Sequence, residues 1–100
     1  MGVPERRIER EFQRKAKAAG FWTVKCELPG THGMPDRLVI LKGGKCCWIE
    51  LKTLTGKVRA NQTQRHNQLR DLGDKVAVCR TAESALEFCE QCSIGANGGN

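Results

Sequence analysis

Three residues in the stretch GMPDRLVILKGGKCCWIELKT, which runs from Gly33 to Thr53, are equipped for chemistry: Asp36, Glu50 and Lys52. Side chains of a strand alternate between its two faces. Trp48, Glu50 and Lys52 therefore share one face, and Cys47, Ile49 and Leu51 share the other. A strand apolar on both faces is central and covered by helices. An acid and a base on one face at its end are costly unless they pair or bind something. A buried Glu–Lys ion pair is the plain structural explanation. Asp36 argues for more. A tight Gly43-Gly44 hairpin makes its strand the antiparallel neighbour, and Asp36 then falls opposite the end of the Glu50–Thr53 stretch.

Two carboxylates a few ångströms apart repel each other and raise one pKa. A divalent cation removes that cost. Oxygen ligands suit Mg²⁺ or Mn²⁺, which keep several waters and accept phosphate oxygens. A lysine beside such a site can hold or deprotonate an attacking water, or neutralise developing phosphate charge. The chemistry expected of this set is metal-assisted hydrolysis of a phosphodiester.

The elements that must position these groups are legible in the periodicity. Residues 4–19 predict a helix that begins at Pro4 and ends at Gly20. Ile8, Phe12, Ala16 and Ala19 share its apolar side, and Arg6, Arg10, Arg14 and Lys17 its far side. Glu5 and Glu9 stack beside the apolar stripe. Strands are expected over 21–28, 36–42, 45–53 and 75–80. A helix is expected over 61–72, with Asn61 and Gln64 spaced as a capping box. A last helix, 81–92, is capped by Thr81. Phe21 and Trp22 are expected in the core. The order αβββαβα gives an α/β fold with helices on both faces of the sheet. Its central sheet is mixed: one antiparallel hairpin and one right-handed parallel crossover.

At 100 residues the chain makes one domain, expected over 1–92, with 93–100 as a disordered tail. The net charge of +6 favours a polyanionic partner. No apolar run approaches a membrane span, and the charged start is not a secretory signal. An intracellular protein without a membrane partner is expected. Six cysteines fall mostly in apolar runs, which suits reduced thiols used as small apolar groups. Cys89 and Cys92 have C-x-x-C spacing, but nothing completes a zinc site.

Pro35-Asp36, followed after thirteen residues by Glu50-Leu51-Lys52, resembles the PD-(D/E)XK nuclease signature. The segments IEREFQRKAKAAGF, PGTHGMPDRLVIL, GGKCCWIELKT and GKVRANQTQRHNQLRDLG, in that order, resemble the stand-alone VRR-NUC domain of phages and bacteria. The resemblance covers residues 5 to about 88. It implies a restriction-endonuclease-like αβββαβα core, in which Asp36, Glu50 and the Leu51 carbonyl bind the metal and Lys52 is the catalytic lysine. It implies that Gln62, opening the helix after the active-site strand, positions the site or the DNA. The first helix is similar to that of archaeal Holliday-junction resolvases, which implies Glu9 as a further catalytic acid and metal ligand. Glu5 is the competing position. Relatives usually have Ser or Thr where this chain has Arg59, which points to an added phosphate contact or a shifted cap.

His32, Arg37, Lys57, Arg59, Arg65 and His66 are the candidate contacts to DNA phosphates, which such groups hold without reading sequence. The resemblance implies a structure-selective endodeoxyribonuclease of recombination, repair or replication, similar to a junction resolvase. Symmetric cutting of branched DNA takes two sites, so a homodimer is expected. The alternatives are a general nicking or flap nuclease and a catalytically silent basic DNA-binding module.

Overall fold

The computed structural model describes residues 2–98, with side chains through residue 94. The elements in chain order are α1 (Glu5–Ala18), β1 (Trp22–Lys25), β2 (Arg37–Ile40), a 3₁₀ turn (Lys42–Gly44), β3 (Cys46–Leu51), α2 (Ala60–Asp71), β4 (Val76–Cys79) and α3 (Ala82–Gly98). The four strands form one mixed sheet in the order β1-β2-β3-β4. The pairs β1–β2 and β2–β3 are antiparallel, and β3–β4 is parallel across the α2 crossover. The expected α/β order is therefore the order found. No described helix is long and apolar enough to cross a membrane.

The core lies between the sheet and the pair α1 and α3. Ile8, Phe12 and Ala16, one stripe of α1, bury against Val39, Cys47, Ile49 and Leu51 of the sheet and Ala85 and Cys89 of α3. The polar side of α1 faces solvent, with Arg6, Arg10, Arg14 and Lys17 all exposed. Gly20 follows the helix at φ 87°, a left-handed turn open to glycine at no steric cost. Cysteines serve this core as small apolar groups. Cys47 Sγ lies 3.8 Å from Cys89 Sγ, and burial pushes the Cys79 and Cys92 thiols up to about 11.

The hairpin differs from expectation, with a consequence for register. The Leu41 N–H donates to the Lys45 carbonyl at 2.8 Å, so Lys42 joins Gly43 and Gly44 in a three-residue turn. Both glycines take positive φ, 77° and 76°. The extra turn residue sets Arg37 opposite Ile49 and Leu38 opposite Trp48. One step further, Asp36 stands beside Glu50 itself, one residue earlier than a two-residue turn would place it.

On its second face the sheet is only partly covered. Trp22, Val24, Leu38, Ile40, Cys46 and Trp48 share this face by register, and none of them is fully buried. Trp22 is 69% exposed, so it is surface and not the core residue expected from its type; Phe21 does pack against the core. The last helix runs past Cys92 to Gly98, so residues 93–98 continue it; of the expected tail, 99 and 100 lie outside the described residues.

Candidate active site

β3 delivers Glu50 and Lys52 to one end of the sheet, and α2 closes over them. Glu50 is 1% exposed, although it is a carboxylate. Its Oε2 lies 3.5 Å from Lys52 Nζ and accepts a hydrogen bond from Gln62 Nε2 at 3.2 Å. Its Oε1 lies 3.7 Å from His66 Nε2, and among the described residues neither atom has a hydrogen-bond partner. Asp36 enters from β2. Its Oδ2 accepts the Leu51 N–H at 3.0 Å, which ties the carboxylate to the peptide between Glu50 and Lys52. Burial, and secondarily the charge of Asp36, push the Glu50 carboxyl up to about 7, while Lys52 pulls it partly back. Burial holds the His66 imidazole below its usual range, with Arg70 adding to the effect.

The start of α2 explains the place of Gln62. The helix begins at Ala60, one residue before the expected Asn61, with Arg59 at the N-cap. Arginine has no acceptor to offer the first turn. Gln62, at the third helical position, supplies half of a capping box: its Oε1 accepts the Arg59 N–H at 2.9 Å. With the oxygen committed to the cap, the amide nitrogen points at Glu50. The cap expected from Asn61 and Gln64 is thereby replaced by Arg59 and Gln62, and the Arg59 side chain stays exposed.

The helix-1 acids separate cleanly. Glu5 is exposed. Glu9 faces the sheet, and its Oε1 lies 3.4 Å from Arg37 Nη2. Arg37 stands opposite Ile49, on the face away from Glu50. The structure therefore joins Glu9 to Arg37, while Asp36, Glu50, Lys52 and Gln62 come together on the other face.

Among the surface candidates, Lys57 and Arg59 are exposed on the loop and cap beside the site, and His32 is exposed on the preceding loop. Arg65 reaches back to that loop, its Nε donating to the His32 carbonyl at 3.2 Å. Two candidates are corrected. Arg37 is 7% exposed and bound to Glu9, and His66 is 1% exposed beside Glu50. Neither presents a charge to a phosphate on the surface. Arg80 was not singled out from sequence. Its Nη1 donates to the carbonyls of Thr53 and Gly56 at 2.6 and 2.7 Å and so holds the loop that carries Lys57. The parallel register leaves it just past Cys79, the partner of Leu51. A cation ending the neighbouring strand was the available signal.

No cluster of three His, Cys, Asp or Glu side chains forms a metal cage among the described residues. The carboxylates of Asp36 and Glu50 nevertheless suit an oxygen-liganded, six-coordinate cation, which keeps several of its waters. The unpartnered Glu50 oxygen and its raised pKa are what such a cation would relieve.

No family model matches the sequence. The chain is 34% identical over 76 residues to the protein named "Putative nuclease p44" of Acyrthosiphon pisum secondary endosymbiont phage 1, across 76% of this chain and 82% of that protein. A solved structure described as "VRR_NUC domain" superposes with a TM-score of 0.77 at 28% identity, covering 86% of this chain and 94% of that one.

Proposed function

This chain belongs to the VRR-NUC domain family, and we propose that it is a divalent-metal-dependent endonuclease that hydrolyses DNA phosphodiester bonds. The observation that carries this reading is the Asp36–Glu50–Lys52 set at one sheet end, with Lys52 Nζ 3.5 Å from a buried Glu50. Asp36, Glu50 and the Leu51 carbonyl would hold Mg²⁺ or Mn²⁺. When bound, the cation polarises the phosphate and acidifies a water. The protein's own groups do the rest. Lys52 orients the attacking water and offsets charge developing on the phosphate. Gln62 holds the Glu50 carboxylate. Lys57, Arg59 and His32 hold the backbone on either side of the cut, and Arg65 fixes the loop that carries His32.

The preferred substrate in this reading is branched DNA, cut by a homodimer in recombination, repair or replication. The partly uncovered sheet face supports the dimer. Trp22 and Val24 on the edge strand, with Leu38, Ile40 and Trp48 beside them, form an apolar surface of the kind that marks an interface.

The test incubates the protein with a labelled four-way junction and a matched linear duplex, with Mg²⁺, Mn²⁺ or EDTA. Glu50→Ala and Lys52→Ala are run alongside. Paired metal-dependent cuts near the branch, absent from both variants, are expected. Equal cutting of both substrates would keep the nuclease and discard the junction preference. Tight binding without cleavage would leave a DNA-binding module.

A further inference from the structure

The contacts of Glu50 bring in His66, which is buried away from the phosphate contact expected of it. Gln62 and His66 are one turn apart on α2, and side chains four residues apart lie on the same helix face. Each faces a different oxygen of one carboxylate. Gln62 Nε2 donates to Oε2 at 3.2 Å, and His66 Nε2 lies 3.7 Å from Oε1. His66 is 1% exposed, and its Nε2 and the facing Oε1 are both buried without a hydrogen-bond partner among the described residues.

Two unpartnered polar atoms facing each other inside a protein are costly, and a shared hydrogen bond removes both costs. The separation is only about 0.5 Å beyond hydrogen-bond range, and bonds of this kind tighten when a site is loaded. With Glu50 ionised, as a metal ligand must be, an Nε2 lone pair would oppose a carboxylate lone pair with no proton between them. The Nε2–H tautomer of neutral imidazole avoids this.

We propose that His66 is a positioning residue for Glu50: it donates its Nε2–H to Oε1 and, with Gln62 on Oε2, fixes the plane of the carboxylate. The lone pairs left free on that carboxylate would be the ones available to a cation held with Asp36. The function of this hold rests on the nuclease reading, whereas its geometry does not. Groups around the imidazole are Arg70, Asp36 and Lys52, besides Glu50.

Two variants separate positioning from packing. His66→Gln places an amide donor near the position of Nε2, and His66→Leu fills similar space with no donor. Thermal melts establish that each is folded. Binding of Mn²⁺ alone is then measured by calorimetry on the whole chain without DNA. The expected result is about tenfold or greater loss of affinity in His66→Leu, the size typical of residues that orient a ligand, and substantial recovery in His66→Gln. Unchanged affinity in a folded His66→Leu, or equal loss in both variants, would overturn the proposal.

A second measurement needs no metal. Nitrogen-15 spectra of the His66 ring, at alkaline pH in EDTA, are expected to show the Nε2–H tautomer with an exchange-protected ring proton that shifts in Glu50→Gln. The Nδ1–H tautomer would refute the hold. Should the unaltered protein bind no Mn²⁺, the metal-dependent reading fails, and these spectra still decide the positioning role.

Discussion

Gln62 joins the cap of α2 to the carboxylate of Glu50 through the two ends of one amide: the oxygen takes the Arg59 N–H, and the nitrogen donates to Glu50 Oε2. Helix start and acid orientation are thus one structural fact. Gln62→Ala removes both, and a loss of about 1 kcal/mol of stability is expected from the cap alone. Gln62→Glu keeps the acceptor for Arg59 but loses the donor and sets a second negative charge beside Glu50. It is expected to melt lower than the unaltered protein and, compared below both melting points, to cut DNA about tenfold or more slowly. Melting curves and initial cleavage rates for the two variants check this. Equal rates in Gln62→Glu and the unaltered protein would remove Gln62 from the site.

Glu50 should make stability fall as pH rises. Its folded pKa, about 7, stands above the ordinary 4.5 because it is buried and next to Asp36. Between those two values the folded state holds a proton that the unfolded state has lost. The stability linked to this group is therefore complete below pH 4.5 and is lost as pH climbs through 7. The ionised group then costs at most about 3 kcal/mol. Glu50→Gln is expected to flatten this dependence and to be the more stable protein above pH 7. Urea unfolding in EDTA at pH 5 and pH 8 reads the difference, and parallel pH profiles would refute it. Mn²⁺ affinity should rise over the same window, as the cation displaces the proton.

The elements were legible because their signals are local. The stripe of Ile8, Phe12 and Ala16, the glycines at 20 and 73, and the alternation through Cys47, Ile49 and Leu51 each declare an element without reference to the rest. The grouping of Asp36, Glu50 and Lys52 was legible because a hairpin and a strand period suffice to bring them together. What was not legible depends on fine register or on tertiary neighbours. The one-residue change at Lys42 moved Asp36 from the end of the Glu50–Thr53 stretch to Glu50 itself. His66 and Arg37 have the composition of surface cations, and only packing shows that both are buried. The place of Trp22 follows from how little of the second sheet face α2 covers, which no periodicity encodes.

Glu9 distinguishes what the family resemblance implies from what the contacts show. Its carboxylate is 3.4 Å from Arg37, whose side chain is 8% exposed. Removing the acid leaves a buried guanidinium uncompensated, and Glu9→Ala is expected to lose about 2–4 kcal/mol of stability. Mn²⁺ binding to the folded fraction should be unchanged, because Asp36 and Glu50 lie on the other face. Unaltered stability with lost metal affinity would instead make Glu9 a site acid.

Gly33 is where the loop of His32 packs against the start of α2. It sits at φ 80°, and a Cβ there would run into the Asn61 carbonyl, one residue before Gln62. Gly30, at φ 78°, has open space around it and serves as the control. In both, alanine carries the left-handed backbone cost of roughly 1–2 kcal/mol. Only Gly33→Ala also pushes the first turn of α2, and with it the amide that holds Glu50. Gly33→Ala is therefore expected to melt lower than Gly30→Ala and to cut DNA at least several-fold more slowly, compared below the melting point of both. If the two variants cut at the same rate, the packing of this loop on α2 does not set the geometry of Glu50.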